Sequence, residues 1–335
     1  MSSGFRRCLL ALVFTISLPA WGQDNGGDFS TNVNPTEKQK VPQGVIIIKG
    51  AWASASDSVT PLPEDGTVAN GVFTDRYFGM TYPLPPNWIQ KHTGPPPSET
   101  GSYVLAQLTP GATFKGPARA TILVTAQDMF FTQLPVNNAL ELVNYTKDNL
   151  QADYKLEMKP TETTVAGRSF TFFAYWSPVA ELHWYVLATQ IRCHTVELVL
   201  TGRDTQFLQN LSLEMNKMKL PSDAGLAAGK GGGEFPVCIK DYARGANVTE
   251  RVDPIFTERR FNAVPVRIII DKEGKVKHIH FLSAFPEQAK AITDALMQWR
   301  FRPYLREGKP IEVETGIMFG RGRPAVTRTA NSAQD

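Results

Sequence analysis

The sequence predicts an α+β protein: an N-terminal antiparallel-sheet α/β sandwich domain, then a small C-terminal ββαβ domain. Three observations predict it. Runs of β-branched and aromatic residues recur between 71 and 221, and apolar residues recur at every second position in Val264–Ile270 and in Ile311–Phe319, as expected of strands. Three separate stretches change to helical spacing instead. A Gly-rich break, Ala224-Gly225-Leu226-Ala227-Ala228-Gly229-Lys230-Gly231-Gly232-Gly233, reads as a flexible tether between two segments with apolar mass of their own. At 335 residues, 42% hydrophobic and 20% charged, the chain is long enough for two modest cores.

Residues 1–22 read as a signal peptide. Arg6 and Arg7 precede an apolar stretch from Cys8 to Leu18, then Pro19 and Ala20-Trp21-Gly22, with small residues where a signal peptidase needs them. About eleven apolar residues fall short of the roughly twenty that span a bilayer. No stable membrane span is expected after cleavage; an uncleaved short anchor is the alternative. Residues 23–70 are polar and Pro/Gly-rich and are expected to be a mostly disordered linker. Within them only Val45-Ile46-Ile47-Ile48 stands out, as a strand for the domain that follows.

Residues 71–221 carry the strand runs of one antiparallel sheet: Ala120 to Thr125, Ser169 to Trp176, Leu182 to Gln190 and Thr195 to Thr201. Two helices are expected to cover it. Ala139, Leu142, Val143, Thr146 and Leu150 share one face, and so do Phe207, Leu208, Leu211, Met215 and Met218 behind Asp204 as N-cap. The order of elements, with its opening Tyr77-Phe78-Gly79-Met80-Thr81-Tyr82-Pro83-Leu84-Pro85-Pro86-Asn87-Trp88, resembles PsbP and Mog1-like domains. That resemblance implies protein binding and leaves room for a small-ligand pocket.

Residues 222–250 form the Gly-rich linker, and 251–320 the second domain. Val264, Val266, Ile268 and Ile270 alternate, Asp271-Lys272-Glu273-Gly274 reverses the chain with a positive-φ residue, and Val276 to Leu282 returns. Beyond Pro286, the residues Ala289, Ile292, Ala295, Leu296 and Trp299 form a helical stripe. After Gly308-Lys309-Pro310, a last strand alternates Ile311, Val313, Thr315, Ile317 and Phe319 against Glu312, Glu314, Gly316 and Met318. Residues 321–335 lack periodicity and are expected to be a disordered tail.

The signature Gly274, Val276, Trp299, Phe301 and Pro303, within Val266 to Val276 and Trp299-Arg300-Phe301-Arg302-Pro303, resembles the C-terminal domain of TonB energy transducers. Trp299 and Phe301 suit the gap between helix and sheet, and Pro303 ends the ladder by withholding a donor. The resemblance implies a periplasmic, bacterial module that grips an extended segment of an envelope protein by strand addition. The strand Ile311, Val313, Thr315, Ile317 and Phe319 is the expected protein-binding edge, with Glu312 and Glu314 on its solvated face. Family members carry a Tyr-Pro pair and a glycine before the first strand. Here that stretch is Pro254-Ile255-Phe256-Thr257 and Asn262-Ala263.

The sequence implies no catalytic residue, metal or cofactor. His278 and His280 share a strand face without a third ligand nearby and read as solvated, while His183 and His194 read as packing in an aromatic hairpin. Lys230 lacks the strand, Ser or Thr and helix of a phosphate loop. Removal of the signal takes the formal charge from +3 to +1, which gives no general attraction to nucleic acid. Cys193 and Cys238 remain, either as a disulfide or as two free thiols. The expectation is a non-enzymatic periplasmic adaptor bound to an outer-membrane or periplasmic protein, with a dimer conceivable. An energy transducer, or an enzyme or small-ligand carrier with a pocket lined by Trp88, Trp176, His183 or Trp184, are the alternatives.

Overall fold

The computed structural model describes residues 60–64, 66–92, 98, 100–117, 119–221, 235–256 and 263–320, with the strands Val45–Ile46 and Ser54–Ala55. The described residues belong to one compact unit, Pro42–Asp335. The expected signal peptide 1–22, the expected tail 321–335, most of 23–59 and the Gly-rich run 222–234 lie outside the described residues.

Strands β1 (Val45–Ile46) and β2 (Ser54–Ala55) pair with each other. A three-stranded meander follows, formed by β3 (Thr67–Ala69), β4 (Val72–Asp75) and β5 (Met80–Pro83). The Tyr77–Tyr82 region thus belongs to a sheet of its own. The large sheet takes β6 (Trp88–His92), β7 (Ser102–Pro110), β8 (Thr121–Asp128), β9 (Lys155–Val165), β10 (Arg168–Ser177), β11 (Leu182–Ile191) and β12 (His194–Gly202). Its order is β6-β7-β8-β12-β11-β10-β9, antiparallel throughout.

Helix α1 (Ala139–Asp148) starts at Asn138, whose side chain accepts from the Glu141 N–H. Helix α2 (Thr205–Glu214) starts at Asp204, which accepts from Phe207 N–H at 2.9 Å. Each cap satisfies an amide that the first helical turn leaves without a partner. Alternation along the strands sorts the two faces. Phe173, Tyr175, Val186 and Ala188 pack under α1, while Phe170, Ala174, Leu187, Leu198 and Leu200 share the larger core with Leu208 and Leu211 of α2. The two helices therefore lie on opposite faces of the sheet.

The C-terminal part contains β13 (Val237–Cys238), β14 (Val248–Glu250), β15 (Val264–Ile270), β16 (Val276–Phe281), α3 (Pro286–Leu296), β17 (Arg300–Phe301), β18 (Tyr304–Arg306), β19 (Lys309–Ile311) and β20 (Val313–Phe319). Its mixed sheet runs β1-β2-β16-β15-β20-β13, with β13 parallel to β20. The Val45–Ile46 strand reaches this sheet through β2, whose Ala55 pairs with Ile279, and does not join the large one. Gly274 sits at φ +82° in the turn between β15 and β16, and a Cβ there would lie 2.0 Å from the Phe301 carbonyl oxygen. Only glycine satisfies both conditions. Val264, Val266, Ile268, Ile270, Ile292, Leu296, Trp299 and Phe301 form one core on the α3 side, and Trp299 Nε1 donates to the Val252 carbonyl at 2.7 Å.

Every residue of β15 is buried, including Arg267. A strand covered by a helix on one face only would alternate. The second face of this sheet is covered as well, by the end of β8, the turn between β11 and β12, and Tyr77.

Candidate functional site: a buried ionic cluster beside a sheet margin

The covered face is held by charge. The period that puts Ile122, Val124 and Ala126 in the core of the large sheet puts Asp128 there too, and β12 sets His194 beside it as its register partner. On the opposing sheet, Arg267 and Glu314 project from the face that α3 does not cover. Arg267 Nη1 donates to Tyr77 Oη at 2.9 Å and lies 2.8 Å from Glu314 Oε1. Its Nη2 donates to Asp128 Oδ2 and stands 3.3 Å from His194 Nε2. Arg192 Nη2 donates to Glu314 Oε2 at 2.6 Å, Tyr77 Oη donates to Glu314 Oε1 at 2.7 Å, and Phe130 N–H donates to Asp128 Oδ1 at 2.7 Å. Rings close the cluster. The Arg192 guanidinium lies 3.8 Å from the Tyr77 centroid, and His194 meets Tyr77, Phe78 and Tyr103 edge-on at 5.1 to 5.5 Å.

Two guanidinium groups balance two carboxylates, so the cluster is neutral when His194 is neutral. Burial pushes His194 well below its ordinary range, and the two arginines push it further down. His194 Nε2 thus faces both the Arg267 guanidinium at 3.3 Å and Asp128 Oδ2 at 3.8 Å. Burial alone would raise Glu314, but Arg192, Arg267 and the Tyr77 hydroxyl outweigh it and hold the carboxyl at about 2. Burial raises Asp128, against the pull of Arg267 and the Phe130 amide. With Arg267 at 1% exposure and Asp128, His194 and Glu314 at 0%, the cluster presents no reactive atom to solvent. Its physical role is to hold two sheets together.

The placement corrects several expectations. Glu314 is buried as a cluster ligand and does not solvate an outer face; Glu312 meets Lys277 at 2.9 Å. His278 and His280 are buried on the covered face, and His280 Nε2 stands 2.8 Å from Glu64 Oε1. His194 belongs to the ionic cluster, whereas His183 bonds Glu157 at 2.9 Å and stacks on Trp176. Trp88 packs in the large core against Phe114, and Trp184 stacks on Tyr175. Among the described residues, no three His, Cys, Asp or Glu side chains converge as metal ligands, and no helix is long and apolar enough to cross a membrane.

Cys193, in the turn between β11 and β12, forms a disulfide with Cys238 of β13. A disulfide is compatible with an oxidising compartment. Cys193 is fully buried and Cys238 is exposed.

The margin of β20 has a geometry that alternation alone leaves open. Val237 N–H donates to the Glu312 carbonyl at 2.8 Å, and Ile239 N–H to the Glu314 carbonyl at 3.0 Å. Even-numbered residues of this strand therefore aim their backbone groups outward, and odd-numbered ones aim at β15. Val313, Thr315 and Phe319 are buried with their backbone groups toward β15, Ile317 is half-buried in the same register, and Ile311 belongs to β19. The margin itself is presented by Glu312, Glu314, Gly316 and Met318. Strand β13 covers its first half, and no named strand among the described residues lies beside Gly316–Met318. A Cβ on Gly316 would fall 2.8 Å from Phe130 Cβ, so glycine lets β20 lie close against the Phe130–Phe131 pair.

A separate shallow cleft of about 660 Å³ lies between α1 and the outermost strand β9, lined by Leu140, Asn144, Lys147, Leu150, Leu156 and Lys159 among others.

No family model matches the chain, that of TonB-type domains included. No curated protein matches it either. Among solved structures the chain is similar to cyanobacterial PsbP from Synechocystis sp. PCC 6803, with a TM-score of 0.32 and 15% identity over 47% of this chain and 96% of that one. It is also similar to a point mutant of the protein Mog1, with a TM-score of 0.26 and 12% identity over 43% of this chain and 92% of that one. The likeness is a distant one over about half of the chain.

Proposed function

We propose that the protein is an exported, non-enzymatic adaptor of the bacterial periplasm, whose TonB-like C-terminal unit docks an extended segment of an envelope protein along the margin of β20. The observation that carries this reading is the half-covered margin: β13 pairs with only two residues, and Gly316–Met318 continue the ladder beyond it. Strand addition draws affinity from such outward backbone groups. The middle unit, a PsbP/Mog1-like sandwich in this reading, braces the second face of the C-terminal sheet through the ionic cluster and fixes the margin in place. Cys193–Cys238 supports export. A second reading, small-ligand binding by the middle unit, draws on the α1–β9 cleft with its apolar walls and two lysines.

The register selects the probe. Met318 is 44% exposed and its N–H points outward, so Met318→Pro removes a margin donor without taking a bond from β15. Ile317→Pro would break the ladder to β15 instead. A photo-crosslinking residue at position 318 in the native cell should give one dominant envelope-protein adduct, lost with Met318→Pro on a neighbouring-site crosslinker. Adducts arising only from position 156 in the cleft, or none at 318, would overturn the reading.

A further inference from the structure

The geometry points to a redox-gated docking site: Val237–Cys238 is a removable strap over the first half of the β20 margin, and the Cys193–Cys238 disulfide locks it down. This rests on the adaptor reading and names how its site is regulated. The strap's attachment is asymmetric. Downstream, Thr315 Oγ1 donates to the Lys240 carbonyl at 3.2 Å, Tyr242 is buried in the C-terminal core, and its hydroxyl donates to the Arg302 carbonyl. Chain beyond Lys240 is therefore anchored without the disulfide. Among the described residues, the strap itself is tied by the Val237 and Ile239 amides, and just upstream the Phe235 ring lies 5.4 Å from the Arg192 guanidinium. The disulfide is the one covalent tie between the strap and the rest of the fold at this point.

The lock can be opened from outside. Residue Cys238 is exposed while Cys193 is buried, which sets the side of approach: in the proposed step a thiolate of an external dithiol attacks the Cys238 sulfur and expels the Cys193 thiolate. The second thiol of the reductant then attacks the mixed disulfide and releases Cys238. In sum, the protein disulfide gains two electrons and two protons, and the dithiol becomes a disulfide. The ionic cluster is untouched by this chemistry and keeps the two sheets together. What the strap leaves exposed are the outward groups of Glu312 and Glu314, continuous with those of Gly316 and Met318. The strap runs parallel to β20, and so defines its replacement: an extended polypeptide laid parallel to β20.

Hydrogen exchange of the full chain, oxidised and after dithiothreitol, tests the gate without any partner. Reduction should speed exchange of the Val237 and Ile239 amides at least tenfold and leave 194–202 and 264–270 unchanged. A labelled peptide of residues 235–240 with serine for Cys238 is the docking probe. It should bind the reduced chain, and a Cys193→Ala/Cys238→Ser variant, at least tenfold more tightly than the oxidised chain. Unchanged exchange at Val237 and Ile239 overturns the gate whatever the partner, and so does acceleration through the whole fold, which would make the disulfide a global staple. Release of the strap without peptide binding overturns the docking site and the adaptor reading together, while photo-crosslinking at position 318 in the oxidised chain alone overturns only the gating.

Discussion

Replacing Arg267 with methionine tests whether the interface between the two sheets is held by charge balance. In the native cluster Arg192 and Arg267 oppose Asp128 and Glu314, all of them buried. Arg267→Met leaves two carboxylates and one guanidinium, a net buried charge of minus one. Removing one partner of a buried pair costs about 3–5 kcal/mol, because the remaining charge keeps its desolvation penalty without its counterion. Asp128 bears most of it, since burial already raises it and Arg267 is the group that pulls it back. The double variant Arg267→Met/Asp128→Asn restores neutrality, with Arg192 and Glu314 still paired, and should recover at least about 2 kcal/mol of that loss. Urea unfolding of the oxidised protein at neutral pH, followed by tryptophan fluorescence, measures both. In the single variant the loss should shrink as pH falls, because protonating Asp128 removes the unpaired charge. A single-variant cost under about 1 kcal/mol, or a double variant less stable than the single, would refute the charge-balance account.

Two further outcomes concern the pH dependence of stability and the β15–β16 turn. His194, held well below its ordinary range, adds stability that is full above about 6.5 and is lost as pH falls, and Glu314, at about 2, adds stability lost as pH falls below about 4.3. Glu197, raised by burial to about 7, acts oppositely: its contribution is present at low pH and lost as pH rises toward 7. Glu197→Gln should therefore unmask an acid-driven loss of up to about 1.4 kcal/mol per pH unit between 6.5 and 4.5; parallel urea-derived profiles for the two proteins would contradict it. Gly274→Ala should cost at least about 2 kcal/mol, from the positive φ and the clash with the Phe301 carbonyl. A variant with native thermal stability would mean that the β15–β16 turn can shift away from Phe301.

Much of the local structure was legible. The helical stripe from Ala289 to Leu296, the cap at Asp204, and the turn at Gly274 each follow from interactions within a few residues, whereas Trp299, expected on the same stripe, lies beyond the helix end. The short Val45–Ile46 strand was visible as a strand, but its sheet was not, because two paired residues carry no information about which margin they join. The ionic cluster was the larger omission. Its signals were an arginine inside the run Val264–Ile270 and an aspartate closing the buried alternation of Thr121–Asp128, each of which reads alone as a polar position facing water.

By itself, then, the sequence determined periods: which residues share a face, where strands turn and where helices begin, because these depend on neighbours along the chain. What lies against the second face of the C-terminal sheet was decided only by tertiary structure. Alternation separates two sides of a strand without stating the solvent of either, and a charge tolerates burial only where its counterion arrives from elsewhere. Arg267 and Asp128, 139 residues apart, supply that condition to each other, and Cys193 and Cys238 secure the strap beside them.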